Sequence, residues 1–159
     1  MKAIKVKIYP NKSQNILINK HFGCCRFVYN FALQKSLSRK QKHLSSFNII
    51  KMPPDLKKEK IWLKDVHSQE LQQTIRDVDS AFSHFFKKNN KFPRFKSKHN
   101  PKQSYRLPQG FKINCEKKYI YVPKLGWIKF RDEFKIKEDV EFRNIKRFGL
   151  RKWAGLRDH

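Results

Sequence analysis

From Phe86 to Gln109 the chain carries Lys87, Lys88, Lys91, Arg94, Lys96, Lys98, Lys102 and Arg106, and not one Asp or Glu. Side chains of this kind neutralise phosphates, and each contact releases a counterion. Within the stretch, KFPRFKSK (91–98) threads Phe92 and Phe95 between cations, and Tyr105 follows. Rings among cations suit a single strand of nucleic acid, offering faces to the bases and charge to the phosphates. Structured RNA is equally served by cations along its backbone and rings against splayed bases. Phe92 and Phe95 have a second use, as anchors that fix a segment stiffened by Pro93 while the cations alone meet the polyanion. Both uses place Arg94, Lys96 and Lys98 on phosphate.

Bond-breaking chemistry is harder to assemble. A metal-dependent nuclease needs carboxylates converging on its ions. Asp77 and Asp79 lie two apart on a helical stretch and cannot share a face. Glu138, Asp139 and Glu141 sit in or beside a hairpin. These and the other acids, Glu70 among them, read as solvated or paired with the abundant lysines. Cys24 and Cys25 are adjacent and Cys115 is distant, giving neither a disulfide framework nor a CxxC half-site. They read as reduced core thiols of a cytoplasmic protein. No catalytic residue, metal ligand or cofactor is expected.

The whole composition points the same way. In 159 residues, 38 Lys+Arg face 13 Asp+Glu, a formal charge of +25. Such a field opposes compaction unless a polyanion offsets it. Fourteen Phe residues argue for a folded core rather than a basic tail. No stretch reaches the roughly 18 apolar residues of a membrane span, and no clear amphipathic basic helix or lipid signal marks a membrane surface as the partner.

The elements that would position these residues follow from periodicity. Ile4, Val6 and Ile8 alternate with Lys5 and Lys7, a half-buried strand with a basic outer face, stopped by Pro10. Asn11 and Gln14 are spaced as a capping box. The following segment is helical on both sides of Gly23, where the small residues imply either a close helix approach or a turn between helices. A helical turn is expected at 48–51, then a short helix begun at Pro53–Pro54. Leu71, Ile75, Val78, Phe82 and Phe85 form one stripe of a long helix from about Ser68 to Lys88. Ser68 would cap it, with Gln72 one turn on, solvated or reading adenine. FKIN, KYIYV, WIKFR and FKIKEDVEFR then read as strands joined by tight turns. The lone first strand must join them, which makes an α+β fold: a small β-barrel with an inserted helical bundle. KRFGLRKWAGLRDH shows no clear period.

KVKIYP (5–10), FGCCRFVYN (22–30), WLKDVHSQELQQTIRDVDSAFSHFF (62–86), FPRFKSK (92–98), SYR (104–106) and VPKLGWIKF (122–130) together resemble the TnpB or OrfB family. These are transposon-encoded, RNA-guided nucleases whose N-terminal portion is often described as a helix-turn-helix domain. The resemblance implies a wedge-type barrel (1–10 and about 90–145), a helical recognition insertion (11–89) and a divergent tail (146–159). It implies a guide-type RNA and double-stranded DNA as partners. Phe47, Lys51, Ser68 and Gln72 would read a short motif beside the target, with Phe47 where the family often has Tyr. Arg94, Lys96, Lys98, Tyr105 and Arg106 would contact RNA, together with the basic Lys5, Lys7, Lys87 and Lys91. The family's RuvC-like nuclease residues and CxxC zinc module are not in these 159 residues, so binding without cleavage is expected. Beside this reading stand a stand-alone regulator of the element, a non-functional truncated remnant, and a chain acting with a separately encoded nuclease half.

Overall fold

Pro10 follows the first strand, β1 (Lys5–Tyr9), and Asn11 opens the first helix, α1 (Lys12–Leu37). The computed structural model describes residues 5–38, 46–100, 102–107, 110–131 and 145–151, with side chains described for 8–38, 51–100 and 110–131. The capping box at the start of α1 is formed in full. Asn11 Oδ1 accepts from the Gln14 backbone at 2.8 Å, and Gln14 Oε1 accepts from the Asn11 backbone at 3.0 Å. The helix then runs through Gly23 without a turn. A Cβ at Gly23 would meet only Arg26 at 3.8 Å, so no element approaches closely there. Neither sequence-based explanation of this glycine applies.

The next helix, α2 (Ser46–Glu59), is one element where a turn and a separate short helix were expected. Pro53 and Pro54 lie inside it, removing two donors from its backbone ladder rather than starting it. A 3₁₀ turn (Ile61–Asp65) leads into α3 (Ser68–Phe86). His67, not Ser68, is the N-cap: its Nδ1 accepts from the Gln69 backbone at 3.3 Å. The α3 stripe is buried at Leu71, Ile75, Val78 and Phe82 and only partly at Phe85. It packs on Phe22, Val28, Ala32 and Leu33 of α1, within one cluster that also contains Ile8, Ile120, Val122, Ile128 and Phe130 of the sheet.

Among the described residues six strands make that sheet, in the order β2-β6-β1-β5-β4-β3. They are β2 (Lys102–Leu107), β3 (Lys112–Asn114), β4 (Tyr119–Val122), β5 (Gly126–Arg131) and β6 (Ile145–Arg151), with β1 near the middle. Every pairing is antiparallel except β1 with β6. The β3–β4 turn is closed by Asn114 Oδ1, which accepts from the Lys117 backbone at 3.0 Å. The β4–β5 turn leads into Gly126 at φ +81°, left-handed backbone that glycine adopts at least cost.

The sequence shows no period after Ile145, yet residues 145–151 form β6, seated between β2 and β1. The tail assigned to 146–159 therefore contributes backbone pairing to the sheet. Its strand is missed because mixed spacing and a mid-strand Gly149 hide the alternation. The strand expected over 134–143, the acids there, and residues 152–159 lie outside the described residues.

Candidate nucleic-acid interface

Residues 87–100, between the end of α3 and β2, are held to the helices at three places. Phe92 meets Phe85 edge-on at 5.0 Å and Phe82 at 5.7 Å. Pro93 is buried beside it. Farther on, Lys96 and Asn30 of α1 exchange two hydrogen bonds. Asn30 Oδ1 accepts from the Lys96 backbone N–H at 2.8 Å, and Asn30 Nδ2 donates to the Lys96 carbonyl at 3.0 Å. The Lys96 ammonium lies 4.1 Å from the centre of the buried Tyr29 ring, a cation–π contact that positions the side chain along α1.

These fastenings separate the two phenylalanines. Phe92 is a ring on a ring cluster, whereas Phe95 is 57% exposed with Arg94 beside it, also exposed. The anchoring use thus fits Phe92, and an open face remains at Phe95. Lys87, Lys91, Arg94, Lys96 and Lys98 are all exposed along this segment. Lys5 and Lys7 lie on β1, and Tyr105 and Arg106 on β2; the side chains of these four lie outside the described set.

The four residues assigned to DNA fall on two helices. Phe47 belongs to α2, its side chain outside the described set, and Lys51 is exposed on the same helix. Ser68 and Gln72 are one turn apart on α3, both partly buried. Ser68 Oγ accepts from Lys57 Nζ at 2.8 Å, and the same ammonium donates to the Val66 carbonyl at 3.0 Å. A serine hydroxyl that accepts one bond still has its proton to donate. Burial holds the Lys57 ammonium below its ordinary pKa, and the nearby Lys124 adds to the effect. Lys124 in turn donates to the Lys64 carbonyl at 2.7 Å, tying the β4–β5 turn to the 3₁₀ turn. Lys57 and Asn30 carry much of this geometry, and neither stands out in sequence: one is a lysine among many, the other a polar residue within an apolar helix stripe.

Among the described residues no group of three or more His, Cys, Asp or Glu side chains is placed to hold a metal ion. Glu70, read from sequence as a solvated or lysine-paired acid, is instead buried and meets His21 Nδ1 at 3.1 Å. Its neighbours Leu71 and Thr74 are buried with it on the α3 face that packs on α1.

Residues 1–43 match the model of a helix-turn-helix domain of the OrfB_IS605 type. Among the described residues of that segment there is one strand and one uninterrupted helix. The chain is 36% identical over 137 residues to the "Putative RNA-guided DNA endonuclease InsQ" of Escherichia coli (strain K12), a match covering 83% of this chain and 34% of that protein. It is 34% identical over 108 residues to a "Putative RNA-guided DNA endonuclease" of Streptomyces pristinaespiralis, covering 65% of this chain and 27% of that protein. It is also 36% identical over 113 residues to "Virulence protein VsdF" of Salmonella dublin, covering 62% of this chain and 95% of that protein. The aligned region thus spans about a third or less of the two endonuclease relatives and nearly all of the third. The chain belongs to the TnpB/OrfB family and corresponds to its N-terminal portion.

Proposed function

We propose that residues 1–159 form a nucleic-acid-binding unit that holds a guide-type RNA and a short DNA motif beside the target, and that they perform no cleavage themselves. One observation carries the reading: an acid-free, cation-rich segment is fastened to two helices at Phe92, Pro93 and the Asn30–Lys96 pair while its lysines and arginine stay exposed at the surface. A segment fixed this way presents charge without losing side-chain freedom twice, once to fold and once to bind. Arg94, Lys96, Lys98, Tyr105 and Arg106, flanked by Lys87 and Lys91 and by the β1 cations Lys5 and Lys7, are assigned to RNA. Phe47, Lys51, Ser68 and Gln72 are assigned to the DNA motif. The names of the InsQ and Streptomyces relatives support RNA and DNA as partners. We further propose that the sheet curls into a wedge-type barrel, which the one-sided burial along β4 and β5 supports. No helix among the described residues is long and apolar enough to cross a membrane; a cytoplasmic location is part of the proposal.

Replacing Arg94, Lys96 and Lys98 together with Ala tests the RNA assignment. Binding to RNA weakens, and the slope of log affinity against log salt falls by about 2 to 3, roughly one per lost phosphate contact. An unchanged slope removes these residues from phosphate. A second reading, a stand-alone nucleic-acid binder, is favoured by the 95% coverage of VsdF, a relative of comparably short span. Purification with a discrete RNA supports the first reading, and purification with promoter-like DNA alone supports the second.

A further inference from the structure

The sheet has a face turned away from its buried side chains. Along β4 and β5, Ile120, Val122, Ile128 and Phe130 are buried, so Tyr119, Tyr121, Trp127, Lys129 and Arg131 stand on the opposite side. Strand register sets them in rows. Tyr9, Lys129 and Tyr119 lie across β1, β5 and β4, and Trp127, Tyr121 and Lys112 lie across β5, β4 and β3. The rows are two residues apart, about 7 Å along the strands, enough for each to receive its own base. Tyr9, Tyr119 and Trp127 are 44%, 39% and 48% exposed, and Trp127 meets Tyr121 edge-on at 5.6 Å.

Single exposed aromatics need no explanation, but adjoining rows of them form a patch that does. The charge around the patch selects its occupant. Lys112 and Lys129 sit in the rows, Arg131 follows on the same side of β5, and Lys117 and Lys118 are exposed in the β3–β4 turn, against one acid of the same hairpins, Glu116. Rings interleaved with cations complement a chain of flat bases and phosphates, and not an apolar protein surface. We infer that this face binds an unpaired stretch of RNA, with bases stacked on Trp127, Tyr121 and Tyr119 and phosphates met by Lys112, Lys129 and Arg131. The phenol groups at the ring edges add donors and acceptors suited to a 2′-hydroxyl. The inference rests on the reading that the chain handles RNA, and it adds a binding surface distinct from residues 87–98.

The test uses the full chain and two labelled probes: an oligouridine of about 12 nucleotides and an RNA duplex of about 12 base pairs, the span of strand that one such face accommodates. Trp127→Ala and Tyr121→Ala each weaken oligouridine binding about tenfold, leave duplex binding within about twofold, and leave the salt slope unchanged, while Trp127→Phe keeps most of the affinity. Tyr119→Ala, at the exposed start of β4, reproduces the selective loss without touching the inner face. Equal loss on the duplex, no loss on oligouridine, or oligothymidine bound as tightly as oligouridine each overturns the inference. The Arg94, Lys96 and Lys98 variant moves the salt slope and these variants do not, so failure here is separable from failure of the phosphate assignment.

Discussion

Nδ1 of His21 lies 3.1 Å from Oε2 of Glu70, joining the middle of α1 to the first turn of α3 with both side chains sealed from water. Glu70 Oε1 has no hydrogen-bond partner among the described residues. A buried polar pair of this kind adds little net stability but is costly to break from one side. His21→Ala is therefore expected to lower unfolding free energy by about 3 kcal/mol. The paired change His21→Leu with Glu70→Met recovers most of that loss, because neither buried polar group is then stranded. Urea unfolding of the three proteins checks this, and a single variant as stable as the parent would sink it.

Along α3 the stripe predicts a sharp contrast between neighbours. Ile75 is fully buried and Arg76 is exposed. Ile75→Ala costs about 2–5 kcal/mol through the cavity it leaves, whereas Arg76→Ala stays within about 0.5 kcal/mol. Thermal or urea midpoints distinguish them directly.

Asn30 is expected to act on binding without touching the ligand. Asn30→Ala removes both bonds to the Lys96 backbone. Stability falls by about 1–2 kcal/mol, the net worth of two such bonds, and RNA affinity falls with an unchanged salt slope because every cation remains. Asn30→Asp keeps the acceptor and loses the donor, and gives an intermediate affinity. A flattened slope for Asn30→Ala would contradict a positioning role.

The thiols set a limit at high pH. Burial raises Cys24 from 9.0 to about 11, with Asp65 and Glu70 adding to it, and raises Cys25 from 9.0 to about 12, with Glu70 adding. The folded state holds these protons more tightly than the unfolded chain does, so their contribution is complete below pH 9 and is lost as pH rises toward 11 to 12. Stability is expected to drop between about pH 9 and pH 12, and Cys24→Ala with Cys25→Ala shrinks that drop. At neutral pH a thiol reagent modifies the half-exposed Cys115 first.

Much of the helical layer is legible in the residues themselves. The Leu71–Phe82 stripe and the Asn11–Gln14 box follow from local rules, because burial face and cap are set within a few residues. The β4–β5 hairpin is legible for the same reason. What local rules miss depends on distant partners. Gly23 was open to a turn or a close approach because intact helix and broken helix share the same small residues. The cap shifted from Ser68 to His67 once Lys57 supplied Ser68 with a partner from another helix. Of the interface, the charge along 87–98 is plain in sequence, while its fastening by Asn30, 66 residues away, is not. Glu70 looked like any surface acid until His21 was placed against it.

The parallel pairing of Lys5 with Arg147 joins the first and last of the described strands. Strands this far apart in sequence pair late, and among the described strands β2 meets β1 only through β6. Until β6 docks, β1 and β2 each keep an open edge, and such edges are templates for pairing with another chain.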